Sequence, residues 1–294
     1  MSFLNFTETL TLDAASRAAL PGEFVQLPDG VTHYELGGPA DAPVVVLVHG
    51  FSVPSYIWDP TFIGIIQAGL RVLRFDLFGR GFSDRPRTDY GIDLYVRQLR
   101  DLLDALEIPG PVDLIGLSMG GPISATFCAQ HPERAHKLIL VDPAGGQAIA
   151  LSPLLKQVVL PGAGELLMGL FGNSTLLNSM GSDFYDPEQI GDFMERYKVQ
   201  MRYRGFKRAL VRSIRAGMLG DFTGAYRRVG ALKLPKMLIW GRGDTTVPLE
   251  QSQYILDAMP GTEFHIIEEA GHIPHYERPE VVNPLLIEFL TNVT

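Results

Sequence analysis

The chain has 294 residues, 46% of them hydrophobic and 20% charged, enough apolar material for one large core or two small ones and too much for a disordered polymer. Its net charge of −8, from 25 Lys+Arg against 33 Asp+Glu, gives no basic footprint for nucleic acid or an anionic membrane surface. A single cysteine, Cys128, excludes an intramolecular disulfide and suits a reducing compartment. Polar residues Asn5, Glu8, Asp13 and Arg17 interrupt Met1 to Leu20, so no signal peptide is read there. No apolar run reaches the roughly 20 residues of a membrane-spanning helix. The expectation is a cytoplasmic protein without an integral membrane segment.

In chain order, short β-branched runs recur: Val44 to Val48, Arg71 to Phe75, Val112 to Ile115, Lys137 to Val141 and Met237 to Trp240. Continuous apolar runs of this length suit strands buried on both faces. Between them lie segments of helical period, such as Tyr95 to Leu106 with Leu99, Leu102, Leu103 and Leu106 on one face. The alternation predicts an α/β protein with a mostly parallel central sheet and helices on both faces. It stops after Asp142 and resumes near Lys236. The intervening 146–229 is rich in Leu, Met and Gly, contains helical stretches such as Phe193 to Ala216, and has no convincing strand. We expect a helical cap inserted after the sixth strand, on a core made of 1–145 and 230–294. Loops at the carboxyl ends of parallel strands carry binding sites.

Gly116-Leu117-Ser118-Met119-Gly120 follows a predicted strand and opens a predicted helix, the context of a nucleophile elbow. Small residues two positions either side of a serine on so sharp a turn avoid collision with adjacent backbone. Upstream, Val44 to Val48 runs into His49-Gly50-Phe51. The backbone N–H groups of Phe51 and Met119 are the expected oxyanion donors. A serine hydroxyl needs a base. Of seven histidines, His272 in Glu269-Ala270-Gly271-His272 lies just beyond the apolar run Phe264 to Ile267, at the right edge of a sheet. His275 is its rival. His49 reads as a brace for the oxyanion turn, and His33, His131, His136 and His265 fall in strand-like or solvated contexts. The orienting carboxylate should follow a strand and lie between serine and histidine in the chain; Asp244, after Met237 to Trp240, fits, with Asp142 the competitor. Cys128, among Ala125, Phe127 and Ala129, reads as inert packing.

The order Ser118, Asp244, His272 behind a His49-Gly50 turn closely resembles the α/β-hydrolase fold enzymes, over nearly all the chain outside the cap. Asp76-Leu77-Phe78-Gly79-Arg80-Gly81-Phe82-Ser83-Asp84 is similar to that family's loop after its fourth strand and reads as structural. The resemblance implies a serine hydrolase without metal or cofactor, and the chain has neither the zinc-binding nor the P-loop motif. Haloalkane dehalogenases and epoxide hydrolases of the fold carry an aspartate nucleophile where this chain has Ser118. Three functions remain. A carboxylic ester hydrolase, esterase or monoacylglycerol-lipase-like, is preferred, acting on a small-molecule ester. Carbon–carbon hydrolases of ring-fission products share fold, cap and triad, but typically have Asn before the serine and more glycines in the oxyanion turn, where this chain has Leu117 and Phe51-Ser52-Val53. A non-catalytic ligand-binding role is the third. Leu154, Leu155, Leu160, Leu166, Leu167, Met168, Leu170 and Phe171 are expected to supply an apolar acyl pocket, and an imidazole base places the rise of kcat/KM at about pH 6 to 7.5.

Overall fold

The structure, a computed structural model, describes residues 7–148 and 163–292. Eight strands form one sheet: β1 (Glu23–Leu27), β2 (Gly30–Gly37), β3 (Val44–Val48), β4 (Arg71–Phe75), β5 (Val112–Leu117), β6 (Ala135–Val141), β7 (Lys236–Gly241) and β8 (Glu263–Ile267). Their order is β1-β2-β4-β3-β5-β6-β7-β8. From β4 onward all pairings are parallel, while β1 and β2 form an antiparallel hairpin whose second strand pairs antiparallel with β4. The expected mostly parallel sheet is present, with an antiparallel edge.

Every residue of β3, β5 and β7 is buried, as their continuous apolar sequences require. The two-residue period sorts them between two cores. Val44, Val46 and Val48 face one side with Leu73, Leu114, Leu138 and Leu238. Val45 and Leu47 face the other with Val72, Ile115, Ile139 and Ile239. The first core is closed by helices α2 (Ile92–Ala105), through Leu99, Leu102 and Leu103, and α3 (Gly120–Gln130), the second by Ile65 of α1 (Asp59–Gln67).

Between β6 and β7 run α4 (Ala163–Ser182), α5 (Gly191–Gln200), α6 (Phe206–Arg215) and α7 (Thr223–Gly230). No strand lies among the described residues of this insertion, as its sequence predicts. The expected single helical stretch from Phe193 to Ala216 is two helices, broken at 201–205. The reason lies far away in sequence. Leu10 bridges to Tyr203, with Leu10 N–H donating to the Arg202 carbonyl and Arg204 N–H to the Leu10 carbonyl. The Glu8 carboxylate accepts the N–H groups of Gly205 at 2.7 Å and Lys207 at 2.9 Å, satisfying the first turn of α6 from outside the helix. After β7 come α8 (Ser252–Ala258), then β8 and α9 (Pro279–Thr291), whose Val282 and Leu286 complete the second core. Among the described residues, no helix is long and apolar enough to cross a membrane.

Candidate active site

Ser118 sits between β5 and α3 at φ 51°, a left-handed conformation uncommon for a residue with a side chain. Its N–H donates to the Val141 carbonyl, and its carbonyl accepts from Gly121 and Ala144, which pins the turn. The flanking glycines are sterically required. A Cβ at Gly116 would meet the Gly120 carbonyl oxygen at 2.4 Å, and one at Gly120 would meet that of Val48 at 2.2 Å. The His49-Gly50 turn comes in alongside, so close that a Cβ at Gly50 would lie 3.6 Å from Ser118 Oγ.

Ser118, His272, Gly50 and Phe51 line one cavity of about 210 Å³. His272 follows β8, and its Nδ1 lies 2.7 Å from Asp244 Oδ2. Asp244 follows β7; its other oxygen accepts the N–H groups of Thr246 and Val247 at 2.8 and 2.9 Å. Burial favours a neutral His272 ring, but the Asp244 carboxylate, with a smaller contribution from Asp183, outweighs it and pushes the imidazole pKa up to about 9. Met119 is buried at the start of α3, and its side chain is not part of the cavity wall. The sequence-nominated groups therefore gather at the carboxyl ends of β3, β5, β7 and β8.

Their competitors go elsewhere. His275 is fully buried, stacks on Trp58 and meets the Ile57 carbonyl through Nε2, and burial pulls its pKa down to about 3. Asp142, just after β6, has φ 40° and accepts the Gly241 N–H at 2.8 Å. Burial, then the neighbouring Asp244 charge, raise its carboxyl well above the usual range. Asp142, Asp244 and His272 could each place one ligand atom within 4.8 Å of the others; Asp244 is already engaged by His272 and two amides. Cys128 is buried and its thiol is pushed up to about 12, as inert packing requires. His49 places Nδ1 against the Gly50 carbonyl and accepts the Leu77 N–H at Nε2; burial holds it down to about 4, a neutral brace. His33 lies in β2, the strand-like context expected of it, and is buried with Nδ1 2.8 Å from Asp76 Oδ2.

Two residues near the site were not singled out in the sequence: Arg80 lay within the loop read as structural, and Asp183 carried no signal. Arg80, fully buried, donates from Nε to the Phe51 carbonyl at 2.7 Å, and from its other nitrogens to Tyr95 and to Ser213 of α6, tying the His49–Phe51 turn to the insertion. Asp183, just after α4, lines the cavity and accepts the Thr246 hydroxyl at 2.6 Å. The expected apolar lining is only partly in place. Met168 lines the cavity, Leu167 packs against the second core, and Phe171 is 54% exposed because it lies on the outer face of α4. Leu154, Leu155 and Leu160 lie outside the described residues, as do the side chains of Leu166 and Leu170. The wall is made instead by Leu176, Met180, Leu210, Ile214 and Leu219 with Val53 and Ile57 of the core.

A parallel sheet with its nucleophile-type turn at a carboxyl edge and a histidine–carboxylate pair on neighbouring loops defines a hydrolase-type class of protein. The chain belongs to the alpha/beta hydrolase family, whose model matches residues 45–285. It is 30% identical to the 2-hydroxy-6-oxononadienedioate/2-hydroxy-6-oxononatrienedioate hydrolase of Paraburkholderia phymatum, over 97% of this chain and 99% of that one. Among solved structures it is similar to the enol-lactonase from Burkholderia xenovorans (TM-score 0.79, 21% identity, 92% of this chain and 100% of that one). It is also similar to a meta-cleavage product hydrolase from Pseudomonas fluorescens (TM-score 0.75, 22% identity, 92% and 97%). At these identities the structural likeness speaks for the fold alone.

Proposed function

We propose that the protein is a serine hydrolase of small carboxylic esters. Ser118 Oγ attacks the ester carbonyl while His272 Nε2 takes its proton, and Asp244 holds the ring's tautomer through Nδ1 and stabilises the imidazolium. The N–H groups of Phe51 and Met119 receive the oxyanion. His272 then protonates the departing alkoxide, and water releases the acyl group by the same steps in reverse order of roles. The helical insertion, 146–229, serves as the cap that closes the pocket over the serine.

One observation carries the choice of ester. Among the described residues lining the cavity there is no lysine or arginine, and the acidic Asp183 is there instead. A dienedioate substrate brings two carboxylates, and desolvating both against described lining residues that hold no lysine or arginine, one acid, and as their sole titratable cation a histidine already engaged by Asp244 costs several kcal/mol. A neutral ester has no such penalty. The carbon–carbon reading has its own support, the name and 30% identity of the Paraburkholderia phymatum relative. Parallel turnover of p-nitrophenyl butyrate and a ring-fission dienedioate decides between them. Hydrolysis of the ester with the dienedioate untouched is the expected result, and turnover of the dienedioate alone would overturn it. Labelling of Ser118 by a fluorophosphonate separates both from a binding protein, which would not react.

A further inference from the structure

The cavity wall near His272 contains a polar group that the hydrolytic steps leave unused. Asp183 is held there rigidly. Its carbonyl accepts the His272 N–H at 2.8 Å, its Oδ1 accepts the Thr246 hydroxyl at 2.6 Å, and the preceding Ser182 carbonyl accepts the Thr245 hydroxyl at 3.1 Å. Both Asp183 and Thr246 face the cavity that Ser118 and His272 share, while most of the remaining wall is apolar, including Val53, Ile57, Met180 and Leu210.

The chemistry fixes which half of the substrate meets this group. The alkoxy oxygen must come within hydrogen-bond reach of His272 to be protonated as it leaves, so the alcohol half lies on the histidine side of Ser118. On the ester reading above, we infer that Asp183 recognises a hydrogen-bond donor on the alcohol half, which makes hydroxyl-bearing alcohols of the glycol and glycerol type the preferred leaving groups. Thr246 occupies Oδ1 and leaves Oδ2 for the substrate. A buried acceptor facing an apolar cavity is costly unless a donor arrives with the ligand, and a site built for such a donor discriminates against the analogue lacking it. Burial raises the Asp183 pKa, with His272 and the Thr246 hydroxyl pulling the other way.

The test compares kcat/KM for 2-hydroxyethyl butanoate and 2-methoxyethyl butanoate, which differ in the donor and little else, with p-nitrophenyl butyrate alongside. Wild type should prefer the hydroxyethyl ester about 10- to 100-fold, the range of one hydrogen bond to a charged acceptor. In Asp183→Leu the ratio should fall to within about twofold of one, whatever happens to the absolute rates, because a ratio within one variant cancels disturbance of the His272 loop. Asp183→Asn, which keeps the shape, covers failure of the leucine variant to fold, and should reduce the preference at least about threefold. A wild-type ratio near one, or a preference that survives in the variants, overturns the assignment of Asp183 while p-nitrophenyl butyrate turnover leaves the ester reading standing. No turnover of any of the three esters overturns both.

Discussion

At Ser118 the backbone is held at φ 51° by glycines that cannot carry a Cβ and by three backbone hydrogen bonds, with Val141, Gly121 and Ala144, so removing the hydroxyl removes little that holds the turn. Ser118→Ala should therefore retain the wild-type melting temperature and lose at least about 10³-fold in kcat; retention of more than about a hundredth of kcat would refute the nucleophile. The two acids respond oppositely to amidation. Asp244 is the acid that faces His272 Nδ1, and Asp244→Asn should cost on the order of 10⁴-fold by admitting the wrong tautomer. Burial and the Asp244 charge raise the Asp142 carboxyl well above the usual range, toward the protonated acid that an amide mimics in shape and charge, so Asp142→Asn should change kcat less than about fivefold. The reverse ranking moves the orienting role to Asp142. The pH dependence departs from the value expected of a free imidazole. Only neutral His272 accepts the serine proton, and its pKa is pushed up to about 9, so kcat/KM should still be rising above pH 8. A plateau reached by pH 7.5, on a substrate whose chemistry limits the rate, would show that the ring is not held as its contacts with Asp244 and Asp183 imply.

The loop after β4 shows how an element that supplies no reacting atom braces the turn beside Ser118, through Arg80 on Phe51 and Leu77 on His49. Asp76 accepts the N–H and hydroxyl of Ser55 and the N–H of Phe82, and meets His33 of the adjacent strand β2. Burial opposes both charges; the pair overcomes it, raising His33 and lowering Asp76 below its ordinary 3.8. The His33 contribution to stability is complete below the ordinary imidazole value of 6.5 and fades as pH rises through its raised folded value. The Asp76 contribution is complete above 3.8 and fades as pH falls through its lowered value. Asp76→Asn should lower stability by about 3–5 kcal/mol near neutrality and flatten the acid side of the melting-temperature profile. An unchanged acid limb would mean that other carboxylates govern it. This loop also marks what a sequence discloses. The convergence of Ser118, Asp244 and His272 on one edge of the sheet was legible because each lies in a short local pattern beside a buried strand. The β1–β2 hairpin was not: Glu23–Leu27 is an edge strand with one fully buried residue, and its sequence lacks a continuous apolar run. Nor was the break at 201–205, which Glu8 and Leu10 impose from nearly two hundred residues away. Arg80 and Asp183 have roles only through contacts with distant loops, which no spacing encodes.

For the whole molecule, the sheet and the insertion together set the size of what can react. The cavity, about 210 Å³, lies between core residues Val53, Ile57 and Leu117 and insertion residues Met168, Leu176, Met180, Leu210 and Ile214. That is below the roughly 300–1,000 Å³ of pockets for drug-sized ligands. The apolar wall should gain about 0.8 kcal/mol, or roughly fourfold in kcat/KM, for each acyl methylene it covers, until the chain reaches the end of the space. Along p-nitrophenyl acetate, butyrate, hexanoate, octanoate and palmitate, each below its micellar limit, activity should climb to butyrate or hexanoate and be small for palmitate. Met180→Trp fills the same space from the insertion side and should move the maximum toward acetate, whereas a wall that merely packs the helices would leave the profile's shape unchanged and lower every rate together. A wild-type maximum at acetate would reject the apolar acyl pocket. Undiminished turnover of palmitate would require an opening of the insertion wide enough to pass a long chain, and with it a substrate range that a cavity this small does not allow.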